Sequence, residues 1–247
     1  MNKLIALAVL LTLCACQQPE PRVVEIDDEN LTPEKIDSIL MKYNFTYESP
    51  VFLKNSEQVL IPISTDLLEK RKFSSSDSYY YDDVEEPRYW NALFYNPETG
   101  ATRLLTDKKW SISNFDTNLE ETGPILAQSI IYQITTKDYN RDGKLNELDA
   151  EHLFISDPDG TNLQQLSPAK EDFDSYEVIP KTDQLIIKTI RNTDDKPAFS
   201  SDDEFIWYKA ESKNGVWQTV EIIDSLQRKS IASLYFEKWL KKKKGKD

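Results

Sequence analysis

The chain has 247 residues, of which 30 are Lys or Arg and 43 are Asp or Glu, a formal net charge of −13. That balance argues against a nucleic-acid binder working through a broad basic face, because phosphate binding needs a concentrated cationic surface. Both cysteines fall within the first sixteen residues, which excludes a body stapled by disulfides.

The N-terminal stretch MNKLIALAVLLTLCAC sets Lys3 ahead of a run of apolar or small residues, 4–13. The run is too short to span a bilayer and has the form of a secretory h-region. It ends in LCAC, where the small Ala15 precedes Cys16 and the aliphatic Leu13 lies three before it, whereas Cys14 follows the bulky Leu13. This stretch resembles the lipobox of bacterial lipoproteins. The resemblance implies a signal peptide over residues 1–15, lipidation at Cys16 and a lipid-anchored protein of the cell envelope. A cleaved secretory signal or a plain membrane anchor is the alternative. Several acyl chains on one cysteine make a stable anchor. Gln17, rather than Asp, after the cysteine leans towards the outer membrane.

Residues 16–30 read as a tether, polar and acidic with Pro19 and Pro21. Residues 31–247 read as one β-rich domain with flanking helices. The first helix is predicted in LTPEKIDSILMKYNF, with Thr32 as cap, Pro33 at the first helical position, and Ile36, Ile39, Leu40 and Tyr43 on one face.

From residue 49 the apolar period is that of strands, and one pattern occurs three times. The copies begin SPVFLKNSEQVLIPIST, GPILAQSIIYQITT and SYEVIPKTDQLIIKTIRN. After a polar interruption each resumes, as YWNALFYNPETGATRLLT, EHLFISDPDGTNLQQLS and EFIWYKAESKNGVWQTVEI. Each copy holds two short strands, an insertion and a hairpin with Gly near its tip, in roughly 50 residues. The stretches LFISDPDGTNLQQLSP and ALFYNPETGATRLLTD resemble the hairpin repeat of TolB-like, WD40-like β-propellers. The expected fold is mainly β, with about three propeller-like units, incomplete or open, and short N- and C-terminal helices. The resemblance implies a role in protein–protein contact.

The interruption of the second copy is DYNRDGKLNELD, residues 138–149. An EF-hand-type loop places oxygen ligands at positions 1, 3, 5, 7, 9 and 12 and a Gly at 6. Those ligands are Asp138, Asn140, Asp142, the Lys144 carbonyl, Asn146 and Asp149, with Gly143 at the turn and Leu145 as the inward apolar residue. A hard cation needs such a shell of alternating oxygens, and one Ca2+ is the expected cofactor. An acidic solvated turn is the bland alternative. Asp rather than Glu at position 12, as in dockerin-like loops, points to an affinity on the order of 10⁻⁴ M. Extended flanks make the loop a brace, since a sensor EF-hand swings a pair of helices.

The first insertion carries Tyr79, Tyr80 and Tyr81, followed by Tyr89 and Trp90, among carboxylates. Aromatics beside acids form a sugar-stacking platform or a protein contact patch, and core packing is the alternative for Tyr89 and Trp90. The expected partners are therefore an envelope protein or a glycan, and the membrane through the N-terminal lipid. The lone His152 reads as a strand residue. Hydrolase elbow, Walker and H-E-x-x-H motifs are absent, so no enzyme is expected. DSLQRKSIASLYFEKWLKKKKGKD reads as a final helix with Ile231, Leu234, Tyr235 and Trp239 on a face able to cover a sheet edge.

Overall fold

The computed structural model describes residues 32–34, 44–66, 89–193, 199 and 203–240. Packing divides the chain into a segment, residues 1–41, and a body, residues 42–247. In the segment Pro33 and Glu34 are helical, as the Thr32-Pro33 start predicts. The leader, Cys16, the tether and the rest of the predicted N-terminal helix lie outside the described residues.

The body is mainly β and antiparallel. Its first strands are β1(Asn44–Tyr47), β2(Val51–Phe52), β3(Val59–Asp66), β4(Tyr89–Tyr95) and β5(Thr102–Leu104). They are followed by β6(Ser111–Asp116), β7(Ile130–Thr135), β8(Glu151–Ser156) and β9(Gln164–Gln165). These nine make one sheet, ordered β1-β3-β4-β6-β7-β8-β9, with β2 also on β3 and β5 also on β4. The strands β10(Glu171–Val178), β11(Gln184–Arg191), β12(Glu204–Lys213) and β13(Val216–Glu221) make a second sheet in sequence order. Neither sheet closes into a barrel among the described residues. The link between β4 and β6 is a single pair, Tyr89 with Ile112.

Turn chemistry places the hairpins where the sequence predicts them. Asn214 and Gly215 both take positive φ, 54° and 79°, between the paired residues Lys213 and Val216. That is the two-residue turn whose twist matches the strands it joins. In the first hairpin Asn96 Oδ1 accepts the N–H groups of Glu98 and Thr99. Gly160, at φ 76°, turns β8 into β9 and lies so close to the Phe94 ring that a Cβ there would collide with it.

Alternate residues of β7 and β8 enter two different cores. Ile130, Tyr132, Ile134 and Phe154 pack with Leu60, Ala92, Phe94, Leu105 and Ile112. Ile131, Leu153 and Ile155 pack with Phe173, Leu185, Ile187, Ile206, Tyr208 and Ala210. The hairpin β7–β8 is thus buried on both faces, against β3–β5 on one side and the second sheet on the other.

Two predicted features differ. GPILAQ, expected to be a strand, forms a 3-10 turn at Leu126–Gln128. The cause is Asp183, whose Oδ1 accepts the N–H groups of Ile125 at 2.8 Å and Leu126 at 2.9 Å, while Gly123 donates to the Thr182 carbonyl. The strand beside β7 is instead β6, a polar segment that the repeat pattern passes over. The final helix does form, as α1(Ser225–Lys238), but it buries none of its residues and covers no edge. Its start is set by Asp224, whose side chain accepts from Leu226 and Gln227 while Gln227 accepts from Asp224 N–H, a capping box.

Leu153→Ala removes a side chain shared between the hairpin and the second sheet, and should cost ~2–5 kcal/mol in urea denaturation. Gly160→Ala should also destabilise, by more than about 1 kcal/mol, because it meets both a positive φ and the Phe94 ring. Gly100→Ala, with open space around it, should cost less than Gly160→Ala.

Candidate functional site

Residues 136–150 connect β7 to β8, two adjacent antiparallel strands. A chain leaving one strand and re-entering its neighbour must turn sharply, and Arg141 at φ 63° and Gly143 at φ 84° supply the left-handed positions. Asp138 accepts the N–H groups of Asp142 and Gly143, at 3.1 and 2.8 Å. Asn140 Oδ1 accepts from Asp142 N–H at 2.9 Å, and Asp142 Oδ1 from Lys144 N–H at 2.8 Å. Asn146 Oδ1 accepts from Leu148 N–H at 2.9 Å.

Asp149 closes the loop. It is buried, and its carboxylate accepts the N–H groups of Tyr139 at 2.6 Å and of Asn140 and Asn146 at 3.2 Å. The last expected ligand is therefore bonded to the backbone at positions 2, 3 and 9. The amides of Asn140 and Asn146 reach Asp142 Oδ2 at 3.4 and 3.5 Å. Asp142 is held below the usual carboxylate range, chiefly by the Lys144 N–H.

Hydrogen bonds within this one loop link Asp138, Asn140, Asp142, Asn146 and Asp149, with the Lys144 carbonyl expected beside them by position. An all-oxygen donor set of mixed charge fits a hard cation. Among the described residues no three His, Cys, Asp or Glu side chains form a group that could hold a metal ion, Asp138, Asp142 and Asp149 included. Here two of the expected donors are amides and one is a backbone carbonyl.

The loop does not stand alone at its end of the body. Across the first sheet Ser64 pairs with Tyr89, Tyr89 with Ile112, Ile112 with Ile134, and Ile134 with His152. Glu151 N–H then donates to Asp172 Oδ1 at 2.8 Å, and Asp172 pairs with Ile190 in the second sheet. The connections β3–β4, β7–β8 and β11–β12 therefore leave the body at one end. Two of them touch, since the Tyr139 ring packs on Phe199 at 5.3 Å between centroids.

Other candidates separate. Tyr79, Tyr80 and Tyr81 lie outside the described residues, as does Cys16. Tyr89 and Trp90 are half-buried in β4, with Tyr89 on Phe115 at 5.7 Å and Trp90 on Phe45 at 5.4 Å. The Trp90 Nε1 is buried without a hydrogen-bond partner.

Three features at the same end carry little sequence signal. His152 is buried, its Nδ1 has no hydrogen-bond partner, and burial holds its pKa below the ordinary value. Asp172 is pushed up to about 6, chiefly by burial. Glu171 is buried and receives hydrogen bonds from Thr189 Oγ1, Arg191 Nε and Tyr208 OH at 2.5, 2.6 and 2.9 Å. Arg191 also reaches Glu221 at 3.3 Å, and Arg228 of α1 pairs with Glu221 and Glu204. Charge abundance hides such a cluster in the sequence, because the carboxylates look alike until the register aligns them.

No protein-family model matches the chain, and no curated protein matches it.

The raised Asp172 sets a sign for pH. A carboxyl whose folded pKa exceeds its unfolded value of ~3.9 binds its proton more readily when folded. Its contribution to stability therefore rises as pH falls from above 6 towards 4. Asp172→Asn should remove that rise and stabilise the protein at pH 7, as read from urea midpoints across the range.

Proposed function

We propose that the chain is a lipid-anchored cell-envelope protein, a protein-interaction module braced by one structural Ca2+ in residues 138–149. The observation that carries the calcium reading is that Asp138, Asn140, Asp142, Asn146 and Asp149 share one hydrogen-bonded loop whose last carboxylate is buried and bonded to its backbone. Those side chains and the Lys144 carbonyl would hold the ion, with position 9 acting through water in many such loops. The ion would neutralise local repulsion in an acidic body and fix a long connection. Strands on both sides of the loop support a brace over a switch.

For the body we favour three propeller-like units in an open arrangement. Supporting this, β2–β5, β6–β9 and β10–β13 are successive antiparallel runs, and the middle one packs on both neighbours. The interaction surface then falls at the end where the three long connections are rooted. The anchor rests on LCAC and Cys16, and the outer membrane on Gln17. A surface glycan-binding lipoprotein is the second reading. It draws on Tyr79, Tyr80 and Tyr81, since the rings of Tyr89 and Trp90 are already engaged.

Calcium titration followed by thermal melting tests the brace. At a hundredfold excess over Kd, binding to the folded state adds about 2.7 kcal/mol, a rise in Tm of roughly 5–10 °C for a domain of this size. Asp138→Ala with Asp142→Ala should abolish the rise. An unchanged Tm in the unaltered protein across millimolar Ca2+ would remove the brace.

A further inference from the structure

Helix α1 leaves a dense group of large apolar side chains in solvent. Leu226, Ile231, Leu234, Tyr235, Phe236 and Trp239 are each more than half exposed. The hydrogen bonds and ion pairs joining the helix to the sheets run through Arg228, near its start. The last turns therefore project as a free apolar tip.

The shape and charge of that tip identify its partner. At 100° per residue, Ile231, Leu234, Tyr235, Phe236 and Trp239 span about 200° of the helix circumference. A helix that docks on a protein core shows a narrower stripe, ~100° or somewhat more. Tyr and Trp favour the boundary between water and hydrocarbon, where a ring is half apolar and half polar. Residues 225–247 carry eight Lys and Arg against Glu237 and Asp247, a balance of +6, which leaves −19 on the rest of a chain of net −13. Five of those lysines, Lys241, Lys242, Lys243, Lys244 and Lys246, come after Leu240 in the sequence and lie outside the described residues. Clustered lysines beside an apolar helix are attracted to anionic lipid. The acidic surface of its own body is tethered at high effective concentration, yet the helix does not bury itself there. A second copy would offer its own apolar helix, but that helix carries the same balance of +6, so two such tips repel.

We propose that α1 and the lysines that follow it form a membrane contact for an anionic phospholipid surface, with Tyr235, Phe236 and Trp239 seated at the headgroup level. The contact goes beyond the proposed lipid anchor, because it needs no acylation at Cys16. It orients the body through its C-terminal helix.

The test uses the full chain with Cys14→Ser and Cys16→Ser, so no acyl group is attached, and an environment-sensitive fluorophore on Ser233→Cys. Its emission should shift to the blue on phosphatidylglycerol vesicles and stay unchanged on phosphatidylcholine vesicles. Raising NaCl to about 0.5 M should weaken the vesicle affinity at least tenfold, since salt screens the lysines. Lys241→Gln with Lys242→Gln, Lys243→Gln and Lys244→Gln leaves α1 untouched and should weaken it similarly. Phe236→Ser with Trp239→Ser should abolish the shift. Absence of a shift on phosphatidylglycerol, or an equal shift on both lipids, would overturn the proposal. So would a shift without vesicles that grows with protein concentration, which would mark a second copy as the partner. Because acylation is removed throughout, failure here leaves the anchor at Cys16 to be judged by lipid labelling of the unaltered chain.

Discussion

The β7–β8 hairpin has no face left for water, and the rest of the body follows from that constraint. A strand buried on both sides loses the alternation of apolar and polar residues and becomes a continuous apolar run. Ile130, Ile131 and Tyr132 are such a run, as are Leu153, Phe154 and Ile155, and all six are buried. Odd and even positions feed different cores, so a slip of one residue would exchange the two cores rather than expose one. Register is then held by shape: Tyr132 fits beside Phe94 in one core, with its hydroxyl on Ser156 Oγ at 2.9 Å, while Leu153 and Ile155 face the second sheet.

Polar contacts secure the second sheet at the end where the long connections begin. Burying Glu171 without partners would be strongly unfavourable. Thr189, Arg191 and Tyr208 come from two other strands and converge on it. Such a cluster adds less to stability than its short distances imply, because desolvation offsets much of the attraction. Its stronger effect is on geometry: only one pairing of β10, β11 and β12 brings all three donors to Glu171. The same network extends through Glu221 to Arg228, so a chain of polar contacts runs from the buried Glu171 to the first turn of α1.

Local rules made much of this legible. The Asn214-Gly215 turn and the final helix from Asp224 onward are each written in adjacent residues, and each occurs where its residues predict. Long-range causes were not legible. Ser111 to Asp116 pairs as β6 although its sequence is mostly polar, with Ile112 buried and Phe115 packed on the same core. The segment GPILAQ has the apolar content of a strand, but Asp183, nearly sixty residues away, captures its amides. His152 reads as a strand residue, and its burial beside the Ala169 backbone comes from a connection the sequence does not place there. The apolar spacing of α1 predicted a packed face, and spacing alone does not say whether the matching surface exists.

Asp149 shows how the loop and the sheet constrain one another. It lies two residues before β8, so its carboxylate is positioned by the sheet, and three loop amides are then drawn onto it. A carboxylate fixed by the scaffold at one end of a loop sets where the loop's other oxygens can lie. It also limits what a bound ion could change. Both strands that bracket the loop are paired along their lengths and buried on both faces, so the flanks cannot separate as a helix pair does. The part with freedom to respond is the side of the loop away from the sheet. There Tyr139, bonded to Asp149 through its backbone, packs its ring on Phe199 of the next connection. Any ordering of the loop is therefore transmitted sideways, between neighbouring connections at one end of the body, and not down into the sheets.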